Sequence, residues 1–286
     1  MEKLEFIAKD DSVLFNLILS VRPTLNFSIL KTILRKKDIK LNGKKVLENV
    51  EVKKGDTITV YLPDKKEKKV EVVFEDQNII IANKPQGMEV TKKDKVFLDS
   101  ECLEEVLNAT ACHRLDKNTE GLVVLAKNKT AEKLLLGAFK NHDIKKKYSA
   151  IVFGKINKNG QKLSNFLQKN DNFVKILDKK EENSQTAKMS YVVKKQENEL
   201  FEIEVDLETG RTHQIRAQLA HYGIFVLGDE KYGDKVINKK YHKSKQQLCA
   251  YKITFKNMPY PLQNLSNKTF EIKPTFCIEC FGHINL

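Results

Sequence analysis

Arg114 and Asp116 stand two positions apart in "ACHRLDKNTEGLVVLAKN", residues 111–128, directly ahead of the apolar run Leu122 to Ala126. On an extended segment the side-chain period of two puts both on one face. The run behind them reads as a buried strand, and a carboxylate at its start is costly unless something pairs with it. Two further polar elements could belong with it. Tyr148 lies in "KKYSA", a strand whose basic start would sit near a polyanion. The helical stretch "TGRTHQIRAQLAHYG" carries Arg211, His213 and Arg216. Its apolar Ile215 and Leu219 share one face, leaving Arg216 on another, from which it could reach back to Asp116 and hold its charge. Singly, an ion pair, a strand tyrosine and a solvated helix explain these residues. Their joint occurrence in a basic chain points to a site.

Other candidates are weaker. "CIECFGH" contains Cys277, Cys280 and His283, half a set of zinc ligands with no second pair to complete it, so no metal site is expected. Cys112 precedes His113, but neighbours on an extended segment point to opposite faces, which argues against a thiol–imidazole pair. Nucleophile-elbow, metalloprotease and glycine-rich phosphate-loop patterns are absent.

The net charge of +13 attracts polyanions, and nucleic acid is the commonest of them. The competing explanation is a surface solubilised by lysine. No apolar stretch approaches the ~18 residues of a membrane span, and the first twenty residues do not read as a signal peptide. Five cysteines, an odd number without framework spacing, suit a reducing compartment. The expectation is a cytoplasmic protein without membrane contact.

These groups need elements to position them. Val13, Leu14, Leu17, Ile18 and Val21 recur at helical spacing before Pro23. Ser28 could cap a second helix, "ILKTILRKK", with Lys31, Arg35, Lys36 and Lys37 opposite its apolar side. Asn42-Gly43 signals a hairpin, and Gly55-Asp56 a turn into a closing strand. This makes a small module with a basic, phosphate-docking helix face. Residues 64–70 read as a charged linker between a domain at 1–63 and a second at 71–286. The second is mixed: two strands around Asp76 to Asn78, a helix capped by Thr130, a strand ending at Gly154, two more strands, a helix between Thr212 and Gly223, and late strands of the same sheet.

The N-terminal order resembles the alpha-L RNA-binding fold first known from a small-subunit ribosomal protein, although Val13 and Phe15 stand where that family often carries charge. "HRLDKNTEGLVVLAK" resembles the central signature of the RluA-type family of RNA pseudouridine synthases. "VVFEDQNIIIANKPQGMEV" is similar to that family's preceding hairpin with its Lys-Pro-x-Gly turn, "KKYSAIVFG" to its Lys-x-Tyr strand, and "TGRTHQIRAQLAHYGIFVLGDEKYG" to its last motif. The resemblance covers roughly residues 70–255. It implies an α+β chain, with a mixed, mainly antiparallel sheet flanked by helices beside a small RNA-binding domain. It implies an isomerase that turns uridine into pseudouridine, most readily in 23S ribosomal RNA, with tRNA as the alternative, or a non-catalytic RNA-binding factor on the same fold. It further implies Asp116 as catalytic aspartate, Arg216 as its partner, Tyr148 stacked on the base and assisting at C5, and Arg114 filling the space left by the extruded uridine. Arg211 and His213 join Lys31, Arg35, Lys36 and Lys37 as expected RNA contacts, and a monomer without cofactor is expected. Two departures stand out: Glu120 replaces a small residue, which places an extra carboxylate near the site or on its rim, and Cys249 replaces a frequent histidine.

Overall fold

The computed structural model describes residues 2–23, 25, 27–62, 69–92, 102–169 and 173–281. The described residues fall into two units, one built from 2–62 and the other from 69–91 and 102–281. Most of the expected linker, 63–68, lies outside the described residues.

The first unit packs helices Leu14–Val21 and Phe27–Arg35 with a four-stranded antiparallel sheet that contains Glu2–Ile7, Ile39–Leu41, Lys44–Lys45 and Thr57–Leu62. Its interior is apolar: Leu14, Phe15, Ile18, Leu30, Ile33, Ile39, Ile58 and Val60 are each at most 2 % exposed. Phe15, out of place for a charged docking helix, is therefore a core residue. The tight turn falls at Asn42 and Gly43, both with positive φ, as their sequence demands. Three expectations shift. The strand Glu2–Ile7, with Leu4 and Phe6 alternating inward, was not foreseen. The second helix starts at Phe27, so Ser28 lies inside its first turn rather than capping it. It also ends at Arg35, because Lys37 turns left-handed (φ 61°), which puts Lys36 and Lys37 on the turn beyond.

The second unit is built on one long sheet. Its strands run in the order Val174–Leu177, Gln161–Lys169, Gln185–Glu197, Leu200–Leu207, Ile144–Gly154, Leu248–Phe255, Glu120–Ala126, Ile79–Lys84, Glu71–Glu75. Neighbours are antiparallel except Glu120–Ala126 against Leu248–Phe255, which run parallel with Glu120 opposite Cys249 and Gly121 opposite Ala250. The sheet is therefore mixed and mainly antiparallel. Gly121 is required at that junction: its φ is +123°, and a Cβ there would lie 2.5 Å from the Ala250 carbonyl oxygen.

The strand Glu120–Ala126 is buried along its whole length, as its unbroken apolar run demands. Val123 and Leu125 feed the core on one face with Tyr148, Leu115, Ile215 and Leu219. Leu122, Val124 and Ala126 feed the other with Ala131, Leu135 and Ala138 of helix Lys129–Lys140. Each such large side chain removed from water is worth about 1.5–3 kcal/mol, so the loop ahead of this strand has a rigid base. Helix Gln214–His221 lies on the face of the first core and contributes Ile215 and Leu219 to it.

Helix ends differ from expectation. Helix Lys129–Lys140 is capped by Asn128, whose side chain accepts from the Ala131 amide, so Thr130 is already inside. Helix Gln214–His221 begins after His213 in a left-handed conformation (φ 53°) without a side-chain cap, so Thr212 does not cap it. Gly223 does stop it, with φ +73°. The strands Gln161–Lys169 and Val174–Leu177 and the Asp234-capped helix Lys235–Lys240 were not anticipated. Cys277 and Cys280 are disulfide-bonded, which takes both sulfurs from any metal site and departs from the all-reduced reading; His283 lies outside the described residues. No helix among the described residues is long and apolar enough to cross a membrane.

Candidate active site

The loop 113–119 leaves the core at Leu115, 4 % exposed, which sends Arg114 and Asp116 to the opposite side. Both line a cleft of about 940 Å³ together with Tyr148, Arg211 and Lys146. A smaller recess behind it is walled by Asp116, Tyr148, His213 and Arg216. The period-two reading of the opening motif therefore holds.

The loop is pinned from below. Lys84, completely buried, donates its ammonium protons to the carbonyls of Lys117 (3.1 Å), Met88 (2.8 Å) and Pro85 (3.0 Å). The Gly87 amide donates to the Lys117 carbonyl at 2.7 Å, and the Thr119 amide closes a turn onto the Asp116 carbonyl at 3.0 Å. Gln246 bonds the Thr119 hydroxyl. The Lys-Pro-x-Gly turn thus supplies a buried cation that holds the backbone of the Asp116 loop.

Arg216 reaches Asp116 from a hundred residues away, its Nη1 donating to Oδ2 at 2.8 Å. Its other edge makes a bidentate pair with Asp229, Nε to Oδ2 at 2.6 Å and Nη2 to Oδ1 at 2.8 Å. Asp229 is 1 % exposed and also accepts the amides of Lys231 and Tyr232. Burial alone would raise its pKa; the bonds and charge of Arg216 outweigh burial and leave it lowered. Burial likewise works against the Arg216 charge, and the two carboxylates more than reverse it, so the guanidinium stays ionised. The Tyr232 ring lies under the guanidinium, 5.2 Å from ring centre to Cζ. His213 sits beside the pair, its Nε2 3.8 Å from Asp116 and its Nδ1 3.0 Å from the Tyr232 hydroxyl. Burial lowers its pKa, so it is mainly neutral at pH 7.

Tyr148 is 5 % exposed on the strand Ile144–Gly154, at a register shift between Lys147 and Ser149. Burial, and then the charge of Asp116, push its phenol well above the ordinary range, so it stays protonated at neutral pH. That favours a stacking or hydrogen-bonding part over that of a base. Arg114 is exposed on the cleft rim, and Arg211 is exposed with its Nε donating to the Thr186 carbonyl at 3.3 Å.

Some residues take other places than expected. Glu120 is not on the rim: it is 4 % exposed and accepts the Thr275 amide at 2.8 Å and hydroxyl at 2.7 Å. Cys249, opposite it in register, is fully buried; burial first and then Glu120 raise its thiol pKa. Glu120 and Cys249 together close an internal seam. Cys112 is also buried, its thiol pushed up to about 12, which makes it a poor nucleophile. Lys31, Arg35, Lys36 and Lys37 are all exposed on the first unit and line neither the cleft nor the recess. Sequence reasoning missed Lys84 and Asp229. Both sat in quoted motifs, and the signal was available: a lysine ending an unbroken apolar strand, and an acid beside Gly228 with a downstream tyrosine.

The mixed sheet thus carries a carboxylate–arginine–carboxylate line beside a cleft lined by Lys146, Lys188 and Arg211. The family model described as RNA pseudouridylate synthase matches residues 78–221, and the chain belongs to that family of RNA pseudouridine synthases. Among its relatives, the ribosomal large subunit pseudouridine synthase C of Rickettsia conorii is 34% identical, over 75% of this chain and 80% of that one. An uncharacterized RNA pseudouridine synthase of Mycoplasma capricolum is 31% identical, over 92% of this chain and 94% of its own. The solved structure of human RNA Pseudouridylate Synthase Domain Containing 4 shares the fold, with a TM-score of 0.57 at 22% identity, covering 71% of this chain and 88% of that one.

Proposed function

We propose that this synthase isomerises uridine in 23S ribosomal RNA, with Asp116 as the catalytic carboxylate, Arg216 as its partner and Tyr148 beside the base. The reaction breaks the N1–C1′ bond, turns the detached uracil and rejoins it through C5, releasing the C5 proton. The observation that carries the reading is the 2.8 Å bond between Arg216 and Asp116 at the floor of the cleft. It holds the carboxylate in place, aimed where C1′ becomes electron-poor. The cleft is far larger than one nucleoside, which suits a flipped uridine with its flanking strand. Arg114 on the rim fills the vacated stack, and Arg211 and His213 meet the strand around it. The name of the Rickettsia relative supports the large ribosomal subunit as substrate.

Lys31, Arg35, Lys36 and Lys37 form the docking face of an alpha-L-type module that adds phosphate contacts. Both halves of the site come from one chain, which suits a monomer, and a ribosomal substrate suits the cytoplasm. The test is Asp116→Asn assayed by tritium release from a [5-³H]uridine 23S transcript: formation of pseudouridine is lost and RNA binding is kept. Carbodiimide primer extension on RNA from cells lacking the protein locates the uridine. A missing signal in tRNA instead of 23S RNA corrects the substrate, and an unchanged map overturns the reading.

A further inference from the structure

The cleft holds a cation with no counter-ion among the described residues. Lys146, two residues before Tyr148 on the strand Ile144–Gly154, lines the cleft. No acceptor among the described residues is bonded to its Nζ, and burial pushes its pKa down to about 8. Asp206 and Glu208 also line the cleft, and neither pairs with it. The Phe139 ring lies 5.3 Å from its Nζ to ring centre, and that ring packs on His113 at 4.5 Å.

His113 gives no relief. Its Nε2 accepts the Val124 amide at 3.0 Å, so in the neutral ring the proton sits on Nδ1, a buried donor with no partner. Burial, and then the Lys146 charge, hold the ring neutral. Donors gather here and acceptors are missing. Gly210 lies close by: a Cβ there would stand 3.2 Å from the Lys146 Nζ, the flexible end of its side chain. A desolvated ammonium without a partner gains most from a full negative charge. Lys145, Lys188 and Arg211 in the same lining bias the cleft toward a polyanion.

We propose that Lys146 seats one backbone phosphate of the substrate RNA strand beside the target uridine. The inference rests on the cleft being the RNA site, and Lys146 acts as a binding and positioning residue.

The test uses the full chain and a 23S transcript, with Kd measured by filter binding across a salt series and thermal melting run in parallel. Lys146→Met is expected to weaken binding at least about tenfold and to reduce the slope of log K against log salt by about one contact. Its melting temperature stays about level, because the half-buried ammonium removed has no ion-pair partner among the described residues. Lys146→Arg keeps most of the slope. On a short RNA of the mapped site, a single neutral methylphosphonate at the contacted position weakens wild type and leaves Lys146→Met unchanged. Wild-type Kd and slope in Lys146→Met overturn the proposal, as does a lowered melting temperature with unchanged Kd. So does a kcat loss at saturating RNA with Kd intact. Binding needs no turnover, so failure of the isomerase reading would show separately, as wild type that binds and releases no tritium.

Discussion

The two units handle charge in opposite ways. The first keeps its cations outside: Lys31, Arg35, Lys36 and Lys37 are exposed over an interior whose buried residues are apolar except for Thr59. The second takes charge inside, with Lys84, Glu120, Arg216 and Asp229 all at most 9 % exposed. Exposed cations cost little and contribute to binding a polyanion through many weak, salt-sensitive contacts. Interior charges are costly, and each of these four is bonded to partners that hold its geometry. The first unit thus offers an exposed basic surface, and the second a frame that holds one carboxylate in place.

Breaking the frame at its purpose has the largest expected effect. Asp116→Asn reduces tritium release by at least about 10⁴-fold, with the RNA Kd within a factor of two or so of wild type. Asp229→Ala comes next. It strands half of a buried guanidinium and costs about 3–5 kcal/mol in urea unfolding. Asp229 also adds a pH signature. Its folded pKa is lowered, so its stabilisation is present above the unfolded value near ~3.9 and fades as pH falls through the folded value. Asp229→Asn therefore flattens the acid loss of stability below about pH 4. Glu120→Ala is smaller, about 1–3 kcal/mol, because it leaves the Thr275 amide and hydroxyl without their acceptor. Tritium release per folded molecule stays at the wild-type level, since Glu120 faces the seam and not the cleft. The smallest stability effect belongs to the outside. Replacing Lys31, Arg35, Lys36 and Lys37 together by Ala shifts unfolding by about 0.5 kcal/mol or less per site. It weakens RNA binding and flattens its salt dependence. A large stability loss there would collapse the contrast.

Much of the frame was legible because it depends on local pattern. The run from Leu122 to Ala126 had to be a strand buried on both faces, and Asn42-Gly43 had to be a turn. The pairing of Asp116 with Arg216 was legible through chemistry: a carboxylate at a buried strand needed a cation, and the later helix offered one off its apolar face. The resemblance named the family correctly. What failed depended on tertiary geometry. Asn128 and Thr130 are both able caps, and the backbone entering the helix chose the first. His213 adopts a left-handed conformation that its sequence does not announce; its ring meets Tyr232 and Asp116 there. Glu120 looked like a rim carboxylate until Cys249 and Thr275 were placed beside it. The strand Gln161–Lys169 hid behind its polar composition, since its inward Asn165 is satisfied by Gln218 and Tyr222 rather than by apolar packing.

The lone parallel pairing, Glu120–Ala126 against Leu248–Phe255, has a consequence in time. The strand beneath Asp116 is synthesised long before its sheet neighbour, and Arg216 and Asp229 emerge in between. At ordinary translation speeds the interval is on the order of ten seconds. For most of it Asp116 lacks Arg216, and until its end it lacks the wall of its parallel neighbour. A nascent chain therefore carries Asp116 well before the site around it is complete.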